Sequence, residues 1–152
     1  MASISNDLEL KLALDNLDAA QQRVAGALFV QRVLDLAVDD RIDKAVQVAL
    51  NPDAGADDLK SAHKSVKTAV LDSHARCGDE GDWKDQATYF VGRAAAACLA
   101  PKIRSEGKDP AWQAALSCRM ARTSAAIYSD SGTPEQESKK QFEIMSKYLD
   151  KL

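Results

Sequence analysis

Alanine occurs 26 times in this chain of 152 residues, most of them between residues 13 and 126. Alanine loses no side-chain freedom in a helix, and the Leu, Gln, Lys and Arg around it are also good helix formers, so the backbone prefers helix almost everywhere. No stretch alternates β-branched and polar residues for long enough to make a strand with one buried face. The expected fold is therefore all-α. It is a single compact bundle of about seven helices over residues 1–152, whose alanine-rich faces let helix axes approach closely in stacked antiparallel hairpins. Apolar residues are 45% of the chain and charged residues 28%, a balance suited to a packed core.

Start and stop signals divide this helical background. A short first helix is expected near Asp7 to Leu14, and a second from about Asp18 to Leu36 with Val24, Leu28, Phe29, Val33 and Leu36 as its apolar stripe. Asp39 can cap a third, Arg41 to Leu50, which Asn51-Pro52 stops because the residue before proline avoids the helical region. Asp53 to Asp57 read as a loop. The fourth helix runs from about Asp58 to Arg76 and ends before Gly78, and Asp79-Glu80-Gly81 reads as a turn. Asp82 can cap the fifth, and Pro101 ends or kinks it. Asp109-Pro110 starts the sixth, with the carboxylate expected to cap exposed amides, and that helix reaches about Tyr128. Thr133-Pro134-Glu135-Gln136 is a capping box before the last helix, where Phe142, Met145, Tyr148, Leu149 and Leu152 recur at three- and four-residue steps as a docking face.

Cysteine and charge bound the setting. Cys77, Cys98 and Cys118 are odd in number and widely spaced, unlike the dense even sets of small secreted domains, and are expected to be reduced thiols. Residues 1–10 lack the basic start and apolar run of a secretory signal, and the uncharged run Ala94 to Pro101 is too short to span a bilayer. A cytoplasmic protein without a membrane partner is the expectation. Net charge is −3, and residues 1–60 hold eleven acidic and six basic side chains, a local −5. With no basic stripe and few aromatics, nucleic acid is not an expected partner. The acidic first part would suit a basic protein surface instead.

Candidate chemistry is sparse. His63 and His74 lie eleven residues apart on one expected helix, about 16 Å along its axis, too far to share one metal ion. His74 and Cys77 are close in sequence, but no third ligand is spaced to complete a zinc site, so no metal is expected. There is no G-x-S-x-G elbow for a nucleophile and no Gly-rich phosphate loop; Gly78, Gly81 and Gly92 are isolated. The run Cys77 to Asp82 is acidic without the alternation of a calcium loop. No cofactor and no catalytic residue are expected. His74 reads as a ring packed between helices and hydrogen-bonded there, while Trp83 and Trp112, just inside helix starts, suit either core packing or anchoring of a partner.

Several local patterns do carry a resemblance. Asp39-Asp40-Arg41 with Lys44-Ala45, then Ser73-His74-Ala75-Arg76, then Gly92-Arg93 followed by four alanines, then Tyr128 and the segment Glu137 to Leu149 occur in the order found in a family of bacterial all-α immunity proteins of polymorphic-toxin systems. The chain resembles that family over roughly residues 20 to 150. It departs where the family often has a histidine late in the fifth helix, here Cys98, and a proline after the acidic-arginine turn, here Ile42.

The resemblance implies a protein that binds and neutralises a cognate toxin by stoichiometric contact, without turnover. It also implies that Asp40, Arg41, His74 and Arg76 form a polar network or pocket between helices. Asp35, Asp39, Asp40 and Asp43 are the residues expected to steer a basic partner. The alternative is a helical scaffold or small-molecule-binding module with a pocket around His74, Cys77 and Cys98.

Overall fold

In a computed structural model, residues 3–77, 83–100, 109–127 and 132–152 are described. Seven α-helices and one 3-10 turn make up their regular structure, with no strand among them. The helices are α1 (Asp7–Asp15), α2 (Ala19–Arg32), α3 (Asp40–Leu50), α4 (Ala56–Cys77), α5 (Trp83–Leu99), α6 (Pro110–Ala126) and α7 (Pro134–Lys151). The all-α bundle expected from alanine content is the observed fold. No helix among the described residues is long and apolar enough to cross a membrane.

Local chemistry explains most boundaries. Asn6 accepts from the Glu9 amide to start α1, and Asp18 with Gln21 forms a reciprocal capping box at α2. Thr133 and Gln136 do the same at α7, as their spacing predicts. Gly78, Asp79 to Asp82, Pro101 and Tyr128 lie outside the described residues.

Apart from α4, which begins at Ala56 inside the expected loop of Asp53 to Asp57, two sites differ from expectation. The second helix stops at Arg32 and continues as a 3-10 turn over Leu34–Leu36, with tight bonds from the Val33 amide to the Val30 carbonyl and from Leu36 to Val33. This tightening buries Val33 and Leu36 while leaving Asp35 in solvent, so packing decided what periodicity could not. Asp109 does occupy the cap position of α6, but its side chain makes no capping hydrogen bond. Its carboxyl is instead drawn to that of Asp15 at the end of α1, a neighbour that only the tertiary fold supplies.

The core centres on α5 and α6, which carry eight buried residues each, and both pack against α2. Ala25, Ala27, Phe29 and Val30 are buried on α2, whereas Val24 and Leu28, expected in its stripe, are only half-buried. Gly26 sits where α2, α5 and α6 converge: a β-carbon there would lie 2.8 Å from Cys98 Sγ and 3.3 Å from Ala111 Cα. Ala87, Ala94, Ala95, Ala111, Ala114, Ala115 and Ala121 line the α5 and α6 faces of the same region. Small residues thus set the helix spacing, and the large side chains Leu10, Leu14, Ile42 and Met145 close the edges.

Pairing of consecutive helices is antiparallel. Arg76 meets Asp85, His74 meets Tyr89, and Val70 meets Gly92, so α4 and α5 run in opposite directions. Arg122 meets Glu137 and the Ala115 carbonyl meets Gln141, which gives α6 and α7 the same relation. Trp83 and Trp112 are partly buried against the core, and Trp112 lies beneath the cations of Lys11 and Arg119.

Candidate functional site

The acidic-arginine turn forms one connected polar cluster at the start of α3. Asp39 accepts from the Arg41 amide at 3.0 Å as the helix cap, and the Arg41 guanidinium returns to the same carboxylate by two hydrogen bonds, Nε at 3.0 Å and Nη2 at 2.7 Å. The third guanidinium nitrogen, Nη1, reaches Asp72 on α4 at 3.0 Å. This bidentate hydrogen bonding from Arg41 holds the Asp39 carboxyl below its ordinary value. Asp39 is therefore neutralised and committed to the fold.

The other three acidic residues stand differently. Asp35 in the 3-10 turn and Asp40 and Asp43 on α3 are exposed, and none makes a side-chain hydrogen bond or ion pair among the described residues. Between Asp35 and Asp40 lies Val38, 65% exposed, whose amide donates to the buried Thr88 hydroxyl at 3.1 Å. An exposed apolar residue thus sits on backbone tied to α5, with carboxylates that have no partner among the described residues before and after it in sequence. Leu71, 68% exposed and adjacent in sequence to Asp72, adds a second apolar projection on the helix that Arg41 bridges to.

Among the described residues, hydrogen bonds and ion pairs join the four residues of the implied network in separate sets, although Arg76 is near enough to act on Asp39 through space. Arg41 joins Asp39 and Asp72, while Arg76 joins Asp85 at 3.2 Å and the buried Ser73 hydroxyl at 3.2 Å. Asp40 points to solvent. His74 is exposed and rests its ring against Tyr89 at 5.3 Å between centroids, so the buried, hydrogen-bonded histidine expected between helices is a surface ring instead. The reason is register: Ser73, not His74, occupies the position of α4 that faces inward.

The buried thiols Cys98 and Cys118 do not join the exposed His74. Cys77 ends α4 three residues after His74, but Cys98 lies nine residues beyond the Tyr89 that His74 touches, about 14 Å along α5, buried against Gly26. Burial pushes the Cys98 thiol up to about 12 and that of Cys118 well above its ordinary value, which keeps both protonated and poorly nucleophilic at neutral pH. No disulfide links the three cysteines. Among the described residues, no three His, Cys, Asp or Glu side chains gather where they could hold a metal ion.

Two features escaped the sequence reading. First, the docking stripe of α7 begins earlier than its apolar members, with Glu137 and Gln141 fully buried. Glu137 Oε1 accepts from Arg122 Nε at 3.1 Å, and its Oε2 lies 3.2 Å from Arg32 Nε without hydrogen-bond geometry. Gln141 accepts from Arg119 and donates to the Ala115 carbonyl, and Arg119 grips Asp7 with two further bonds. The signal was present: two polar residues in core register on α7 opposite Arg119 and Arg122 on α6.

The second feature is a cleft of about 280 Å³ between α2 and α7, lined by Leu28, Gln31, Arg32, Lys140, Ile144 and Lys147, with Glu143 beside Lys140. Its positive rim could not be read from net charge, which is negative overall. No family model, curated protein or solved structure matches this chain.

Proposed function

We propose that this protein is a stoichiometric inhibitor, an immunity protein that neutralises a cognate bacterial toxin by covering a basic face of it. The observation that carries this reading is the segment from Asp35 to Asp43, in which Asp35, Asp40 and Asp43 are exposed and have no partner among the described residues, with the exposed Val38 between them in sequence. Unpaired carboxylates steer a basic partner over several ångströms, while an apolar projection on rigid backbone gains by desolvation at contact. Asp39 and Arg41 do not steer; they hold the turn that presents the others.

The toxin domain tested is the one encoded by a neighbouring reading frame whose product has a variable C-terminal domain. Expressed in bacteria with and without this protein, it should kill only in its absence, and the two should co-purify as a complex. Equal killing in both arms with no complex recovered would reject the reading.

A further inference from the structure

We propose that the cleft between α2 and α7 binds a small amphiphile, an oxyanion carried on a short apolar body, independently of any contact made by the acidic turn. The two helices run antiparallel and are pinned at both ends of the cleft. At one end Tyr148 donates from its hydroxyl to the Gln21 carbonyl at 3.4 Å, and at the other Arg32 sits 3.2 Å from Glu137. Between the pins, the half-buried Leu28 and Ile144 form an apolar floor.

The rim supplies the charge. Lys140 is balanced by Glu143 at 3.4 Å, but Lys147 has no partner among the described residues. Arg32 is held at the cleft by a carboxylate that is itself 1% exposed, yet its guanidinium donates no hydrogen bond among the described residues. Glu137 is already bonded to Arg122, so it positions Arg32 without consuming its donors. A planar guanidinium with unspent donors matches an oxyanion, and a fork of two parallel bonds to one carboxylate or phosphate fits its geometry. At about 280 Å³ the cleft is at the small end of ligand sites, which begin at roughly 300 Å³, so the apolar body it takes is a short chain or a single ring.

Octanoate, octyl phosphate and octanol, titrated against methyl-labelled protein, separate the possibilities. Both anions should shift the Leu28 and Ile144 methyl signals saturably at one site, with octanol at least tenfold weaker. Lys147→Gln, at an exposed position outside the core, should weaken both anions several-fold, and Arg32→Gln more so; their melting curves check that both fold. A larger effect on octyl phosphate than on octanoate would identify phosphate as the preferred head, and the reverse would identify carboxylate. Octanol binding as tightly as the anions, shifts spread over the exposed apolar residues Leu8 and Leu12 of α1 and Met120 of α6 instead of the cleft, or variants that bind like the parent would overturn the proposal.

Discussion

Arg122 on α6 and Glu137 on α7 meet at 3.1 Å with side chains only 6% and 1% exposed, so an ion pair lies inside the bundle, and the more exposed Arg32 of α2 lies 3.2 Å from the other oxygen of the same carboxylate. Their attraction offsets a large desolvation cost, and loss of one partner strands the other charge in low dielectric, at a cost of about 3–5 kcal/mol. Glu137→Ala should therefore lower the stability measured by urea unfolding by about 3 kcal/mol or more. Replacing both residues by Met should cost much less than the two single changes added together. Simple additivity of the single changes would show that the pair contributes nothing as a pair.

Gly26 marks the closest approach of α2 to its neighbours. An added methyl meets the Cys98 sulfur at 2.8 Å and the Ala111 backbone at 3.3 Å, and backbone cannot yield as a side chain can. Gly26→Ala should destabilise by about 1–3 kcal/mol despite the better helix propensity of alanine. Adding Cys98→Ala should recover part of the loss by removing the nearer contact. A Gly26→Ala variant at least as stable as the parent would mean that the three helices pack less tightly than described.

Asp109 is held above its ordinary carboxylate value of 3.8, first because its carboxyl shares a hydrogen bond with Asp15 and then because it is partly desolvated. A folded-state pKa above the unfolded one means that the folded chain retains a proton the unfolded chain has lost. The ionised group thus destabilises at neutral pH, and that penalty is relieved as pH falls through the raised value. Asp109→Asn should raise the melting temperature at pH 7 by a few degrees, with the advantage shrinking steadily as the pH approaches 3.8. The capping role is not a confounder, because the Asp109 side chain caps nothing. An advantage that is constant with pH would contradict the carboxyl pairing.

The helices were legible because their signals are local. The box at Thr133 and Gln136, the cap at Asp39 and the proline at position 52 act within one turn, and each marks the boundary that spacing predicts. The break at Val33 was not legible, since the same apolar spacing continues through it and only packing selects the tighter turn. Asp109 looks like a cap in isolation and becomes half of a carboxyl pair once α1 is in place. His74 is the opposite case: a polar ring on an alanine-rich helix suggested burial, but one step of register puts Ser73 inside and His74 out. The acidic residues were identifiable by type, whereas which of them stay unpaired depended on where Arg41 reaches.

The central claim is that Asp35, Asp40 and Asp43 present a steering surface to a basic toxin. It is tested most directly by the association rate of the purified pair in stopped flow, at low and high salt, for the parent, Asp40→Lys with Asp43→Lys, and Asp53→Lys beyond the other end of α3. The parent should form a one-to-one complex whose rate falls steeply with salt. The double variant should associate about tenfold or more slowly at low salt and lose most of its salt dependence, with Asp53→Lys near the parent. Rates that are the same for all three proteins, or the absence of any complex, would contradict the claim.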